Sequence, residues 1–231
     1  MSRSSGLPLE KTEGMDILVA GGHGKIALRL LKLLADQGHT ARGLIRSEEQ
    51  AGDLRAVGAV PVIGDLENDP TLEEYVRGAD AVVFAAGAGP GSGDARKKTV
   101  DLGGAVKLAD AAVATGVRRY VIISSIGADR PESGGETMRA YLEAKAQADE
   151  YVRGTGLDAT IVRPGELRDE PGTGRVTVST ELGGRGPVTR DDVAAVIAYV
   201  LGAPETAGLT FELFNGDTPI PDAIGALTPR T

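Results

Sequence analysis

Asp16-Ile-Leu-Val-Ala20-Gly21-Gly-His-Gly24-Lys-Ile-Ala27-Leu-Arg-Leu30-Leu-Lys-Leu-Leu34 is the stretch on which the fold turns. Asp16–Ala20 is a short apolar run of strand length. Ile26, Leu30, Leu33 and Leu34 then fall on one face of a helix. Between them Gly21, Gly24 and Ala27 form the spacing GxxGxxA. The first small residue turns the chain. The second lets the backbone approach a pyrophosphate, and the third lets helix pack on strand. Free N–H groups at the helix start favour phosphate oxygens. Gly21, Gly22, His23, Gly24, Lys25 and Ile26 are therefore candidate dinucleotide contacts, His23 as a loop residue facing phosphates or solvent. A glycine turn alone would be weak evidence; its place between a strand and an amphipathic helix makes it a cofactor cradle.

Outward from this unit the pattern repeats. Strands are expected at 40–45, 59–63, 80–85, 119–124, 158–162 and 209–214, with a small extra one at 175–180. Helices are expected from a Ser47 cap to Val57, from Asp69-Pro70 to Val76, over 95–115 with an interruption at Gly103-Gly104, over 136–153, and over 190–201 behind a Thr189 cap. Near-continuous apolar strands alternating with helices imply a Rossmann-like, doubly wound parallel sheet in a three-layer α/β/α arrangement. The expected organisation is a frayed extension over 1–14 and a single domain over 15–231. Within that domain a small substrate lobe is drawn mainly from 165–189 and 203–231.

Composition narrows the chemistry. The chain of 231 residues has no cysteine and only two histidines, so cysteine-ligated metal and cysteine nucleophiles are excluded and no metal is expected. A net charge of −8, no Trp and few other aromatics leave no general attraction for nucleic acid and no stacking platform. No apolar run reaches membrane-spanning length, and the N-terminus lacks the apolar centre of a signal peptide. A cytoplasmic protein that binds a small molecule and no membrane is expected, as a monomer or homodimer.

Such sheets bind ligands beyond the carboxyl ends of their strands. After the second strand no acid stands where NAD-binding chains place one against the ribose 2′-hydroxyl. Arg46 sits there instead, and a guanidinium suits a 2′-phosphate. Ser47 adds a donor. Arg42 is either an assisting cation or a solvated strand residue. NADP is thus expected in preference to NAD. Asp65 and Leu66 can bracket adenine after the third strand, or Asp65 can simply cap the next element. Ala85, Ala86 and Gly87 let backbone lie over a ribose after the fourth. The loop from Gly87 to Gly93 reads as a flap or a linker.

Tyr141-Leu-Glu-Ala-Lys145 places a phenol and an ammonium one helical turn apart. A lysine beside a tyrosine favours phenolate, moving a pKa normally about 10 toward the working range. Such a tyrosine can exchange a proton with a carbonyl oxygen during hydride transfer. Ser124-Ser125 ends the fifth strand, where a hydroxyl can bond the same oxygen. The bland alternative is an amphipathic helix with Tyr141 at the core edge and Lys145 in water.

With AGGHGKIA, Arg46, GDL at 64–66, VDLGGAVKLADAA, VIISSIGAD, YLEAK and VRPGELRDEPGTGRV, the chain resembles an atypical short-chain dehydrogenase/reductase. The likeness runs from about Met15 to Leu227 and is nearest the biliverdin-reductase-B and NmrA-like subgroup. It implies a catalytic set of Ser125 (Ser124 as the second choice), Tyr141 and Lys145, with Asp101 where the wider family has asparagine. Asp101 would pair with Lys145 and alter the proton path. Lys145 would also hold the cofactor ribose, Ser124 would be a cofactor contact, and Arg163, Pro164 and Gly165 would border the nicotinamide. The substrate lid would come from 127–137 and 165–189. The implied activity is NADP-dependent reduction of a carbonyl or similar acceptor. Sugar-nucleotide epimerisation or dehydration, and redox sensing without turnover, are the alternatives.

Overall fold

The computed structural model describes residues 14–87, 89, 93–181, 183–184 and 186–228. The frayed extension expected over 1–14 lies outside these apart from Gly14, as does most of the loop between Gly87 and Gly93.

In chain order the elements are β1 (Asp16–Ala20), α1 (Lys25–Asp36), β2 (Thr40–Ile45), α2 (Ala51–Ala56) behind a 3-10 turn, β3 (Val60–Ile63), α3 (Glu73–Val76), β4 (Ala81–Phe84) and α4 (Asp94–Arg96). A π-helical stretch, Lys97–Gly104, continues into α5 (Ala105–Thr115). There follow β5 (Arg119–Ile123), α6 (Gly135–Gly154), β6 (Asp158–Pro164), β7 (Glu166–Arg168), β8 (Arg175–Ser179), β9 (Pro187–Thr189), α7 (Arg190–Leu201), β10 (Thr210–Asn215), β11 (Thr218–Pro219) and α8 (Ile220–Gly225).

The main sheet has the order β11-β8-β10-β6-β5-β4-β1-β2-β3. Seven neighbouring strands, β10 to β3, run parallel; β8 and β11 add an antiparallel edge. β1 pairs with β2 on one side and β4 on the other, so the strand order reverses there. Side chains alternate between the two faces. Ile17 and Val19 join Leu30, Leu34, Val193 and Ile197 on the side of α1 and α7. Leu18 and Ala20 join Phe84, Leu108, Tyr120 and Ile122 on the side of α3, α5 and α6. The expected three-layer α/β/α architecture is what forms.

Several local expectations need correction. α3 starts at Glu73, after Asp69-Pro70, because the preceding residues are tied down as a loop. Asp65 accepts from the N–H groups of Glu67 and Asn68, and Lys107 Nζ donates to the carbonyls of Glu67 and Asp69. Gly103-Gly104 does not interrupt the long helix. A Cβ on Gly104 would make ordinary contacts, 3.4 Å from the Phe84 ring and 3.5 Å from Leu66 Cβ, and the π-helical stretch runs through it into α5. Ser47 makes no side-chain cap bond; its hydroxyl serves the Glu49 carboxylate, which it holds below the usual range. Of the segments assigned to a substrate lobe, only β7 and β9 stand apart, as a two-stranded parallel sheet. β8, β10 and β11 extend the main one.

The lobe is anchored at the start of α7. The Thr189 hydroxyl accepts from Asp192 N–H and donates to the Asp192 carboxylate, which also receives the N–H groups of Thr173 and Gly174. That buried carboxylate joins loop 172–174 to the helix start.

Candidate active site

The β1–α1 turn is closed by backbone. Gly22 N–H donates to Leu44 O at 2.9 Å and Gly24 N–H to Gly21 O at 2.9 Å. Gly21 has φ +83°, and a Cβ there would lie 2.7 Å from Ala86 Cα. Only glycine fits. Gly24 caps α1 with extended backbone and no side-chain cap bond, which leaves the first N–H groups of a 12-residue helix to an anion.

Beyond this turn, at the switch point, lies a crevice of about 270 Å³. Gly21, His23, Gly24, Arg46, Asp65, Leu66, Ala85, Ala86 and Gly87 line it, so nine of the residues expected at the cofactor converge. His23 is held at its mouth by Asp53, 2.7 Å from Nε2. Asp65 keeps the structural alternative as well, because its carboxylate closes the 65–68 turn; those bonds outweigh its partial burial and hold it below the usual range. Arg46 is exposed and forms no hydrogen bond or ion pair among the described residues, only a through-space attraction to Asp65. Glu67 and Arg96 were not foreseen at this wall. Arg96 donates to Glu67 at 3.1 Å, and no sequence spacing signals that contact.

Several other side chains expected at the cofactor are engaged elsewhere. Arg42 is bound to Asp16 at the start of β1 and to Tyr75 O, at the opposite end of the sheet from the crevice. Lys25 turns its ammonium to Asp169, 2.7 Å away. Ile26 packs its side chain against the core. Ser47 does not line the crevice. Arg163 is buried in an ion pair with Asp149, at 2.9 and 3.0 Å, so its side chain is committed inside the fold. Ser124 is also buried, beside Asp149. Burial pushes the Asp149 carboxyl up, against the opposing pull of Arg163 and Ser124. Pro164 is buried at the end of β6, where its carbonyl accepts from Ile126 N–H.

Lys145 decides between the two readings of α6. It is 2% exposed, so the solvated alternative fails. Its Nζ donates to Ile123 O at 3.1 Å and lies 3.3 Å from Asp101 Oδ1. It also sits 5.5 Å from the Phe84 ring centroid and 5.7 Å from that of Tyr141. An unpaired buried ammonium costs several kcal/mol, so these partners are what the position requires. Burial pulls the ammonium down, but the nearby Tyr141 and Asp101 outweigh it and hold its pKa above the ordinary lysine value. Asp101 comes from the π-helical stretch, and a Cβ on Gly87 would be 3.3 Å from its Oδ1. The expected Asp101–Lys145 pair thus stands where the crevice ends.

Against α6 opens a second cavity, of about 710 Å³. Ser125 and Gly165 line it, as do Ile126, Met138, Leu142 and Pro187. Ser125 Oγ donates to Ile126 O at 3.2 Å. Ser125, rather than buried Ser124, is therefore the serine within reach of a ligand. Tyr141 is part-buried and lines neither cavity; its ring stands near Lys145, with Met138 and Leu142 of the same helix facing the larger space. The spacing of Met138 and Leu142 was the available signal for this wall, but its match to an ordinary amphipathic helix hid it.

The family profile described as NAD(P)H-binding matches residues 21–204. A curated relative from Bacillus subtilis, YhfK, described as an uncharacterized sugar epimerase, is 39% identical and covers 92% of this chain and 100% of its own length. A solved structure from Bacillus halodurans, provisionally described as an NAD-dependent epimerase/dehydratase, is 43% identical with a TM-score of 0.89, covering 93% and 100% of the two chains. The Lactococcus lactis oxidoreductase ylbE is 29% identical with a TM-score of 0.81, covering 92% and 96%. With that profile spanning most of the chain, the chain belongs to the NAD(P)H-binding family of atypical short-chain dehydrogenase/reductase-like proteins.

Proposed function

We propose that the protein is an NADP-dependent oxidoreductase that reduces a carbonyl to an alcohol. The observation that carries this reading is Lys145, buried and paired with Asp101 beside Tyr141, on the helix whose Met138 and Leu142 line the larger cavity. Gly21, Gly24 and the first turn of α1 would hold the pyrophosphate, and Arg46 the 2′-phosphate. Bound NADPH supplies two electrons as hydride to the carbonyl carbon. The chain supplies the proton. Tyr141 gives its phenolic hydrogen to the carbonyl oxygen, and the resulting phenolate is stabilised by the Lys145 ammonium. Ser125 donates a hydrogen bond to the same oxygen. Asp101 keeps Lys145 charged and fixed.

The decisive experiment is Tyr141→Phe. NADPH oxidation with responsive aldehydes or ketones should fall by about 10²–10⁴-fold, the usual worth of a general acid, while NADPH affinity stays within twofold. An unchanged rate would remove Tyr141 from the chemistry. A second reading, epimerisation or dehydration of a nucleotide sugar, draws support from the descriptions of the Bacillus subtilis and Bacillus halodurans relatives above. It uses the same tyrosine and lysine but predicts sugar conversion with no net change in NADPH absorbance.

A further inference from the structure

The 710 Å³ cavity is large enough for a ring-sized organic ligand, and its wall states what that ligand is made of. Its side chains at the α6 side are Met138 and Leu142, and Ile126 and Pro187 add further apolar surface. Met138 is 44% exposed, so its side chain is open to a ligand. The polar side chains of the wall are largely engaged with their own neighbours. Arg130 pairs with Asp129 at 3.2 Å, Glu166 with Arg168 at 2.9 Å, and Ser133 Oγ donates to Arg130 O at 2.8 Å. Ser125 combines a place just past β5, the strand whose Ile123 carbonyl accepts from Lys145, with a weak, intra-loop bond of 3.2 Å that a ligand oxygen can replace. A ligand with one polar oxygen and an otherwise apolar body matches Ser125 and the apolar side chains of Ile126, Met138, Leu142 and Pro187.

Resting on the carbonyl-reductase reading, we propose that the acceptor is an uncharged apolar carbonyl compound with a fused-ring or similarly bulky body. Its oxygen lies toward Ser125 and its body against Ile126, Met138 and Leu142. In the reaction its carbon gains the hydride and its oxygen the proton, giving the secondary alcohol and NADP.

The test compares cyclohexanone, 2-decalone and erythrulose as acceptors, and measures binding separately with the neutral dye Nile red on the NADP-loaded protein. kcat/KM should rise at least tenfold from cyclohexanone to 2-decalone and fall below both for erythrulose, and 2-decalone should displace the dye. Met138→Glu should weaken dye binding and 2-decalone turnover at least tenfold, Met138→Leu should restore both, and NADP affinity should stay within twofold throughout. Val113→Glu, on the exposed face of α5, should change nothing. Erythrulose or a uridine-diphosphate sugar outcompeting 2-decalone for the cavity, or indifference of the dye to Met138→Glu, overturns the proposal. If dye displacement and the Met138 series hold while no acceptor is reduced, the ligand class stands and the reductase reading fails.

Discussion

The two spaces at the carboxyl edge are built from different materials. The crevice beyond β1, β2 and β4 opens from a main-chain turn, where Gly21 has no room for a Cβ and the first N–H groups of α1 have no side-chain cap. The cavity beyond β5 and β6 is made of side chains on α6 and of loops reaching from β7 and β9. Backbone geometry holds a part common to every ligand of the family; side chains can be exchanged without disturbing it. Of two cations at this edge, Arg46 is exposed and uncommitted, whereas Lys145 is buried and shared among Asp101, Ile123 and Tyr141.

The sharpest break of this contrast is Gly21→Val. A Cβ at 2.7 Å from Ala86 Cα, on a residue with φ +83°, leaves the turn no relaxed geometry. Fluorescence titration should show NADPH and NADH affinity both down by more than 100-fold, with Nile red binding in the larger cavity retained.

Asp101→Ala tests the buried pair. It leaves the Lys145 ammonium without its carboxylate and should cost about 3–5 kcal/mol in urea unfolding, where Asp101→Asn costs less. The sign with pH follows from linkage. A lysine whose pKa is raised in the fold stabilises fully below its unfolded value, near 10.5, and that stabilisation is lost as pH rises through the folded value. The wild type should therefore lose stability above about pH 10.5, and Asp101→Ala should show a flatter decline.

Arg46→Ala should weaken NADPH by roughly 10- to 100-fold, the worth of a charge-assisted phosphate contact, and leave NADH within twofold. Equal loss for both would move the 2′-phosphate site away from Arg46. The smallest effect belongs to Lys25→Ala. Its exposed bridge to Asp169 is worth less than about 1 kcal/mol, and NADPH affinity should change less than threefold.

The same division explains what could be read in advance. Gly21, Gly24, Ala85 and Gly87 announced the crevice because a backbone approach demands small residues at fixed spacing. The alternation of apolar strands with helices announced the sheet. Lys25, Arg163 and Ser47 looked like ligands from their places in the chain, but side chains reach partners that local spacing does not display. Asp169 is 144 positions from Lys25. Arg163 and Asp149 meet only because β6 lies against α6. Asp101 pairs with Lys145 as the resemblance implied, yet the π-helical turn that delivers it left no mark a pattern of apolar residues can carry.

The outermost strands of the large sheet end in a shared device. Gly64 N–H points inward to Ile45 O and Ile220 N–H inward to Gly174 O, so alternation along each strand turns the nitrogens of Pro61 and Pro219 toward open water. Neither proline carries a hydrogen there. A foreign strand arriving at either border finds a missing donor, although Val60 and Ile63 would otherwise offer it a sticky margin. The sheet is thus sealed against growth by copying itself, and Pro61→Val should turn a well-behaved solution into one that clouds on concentration.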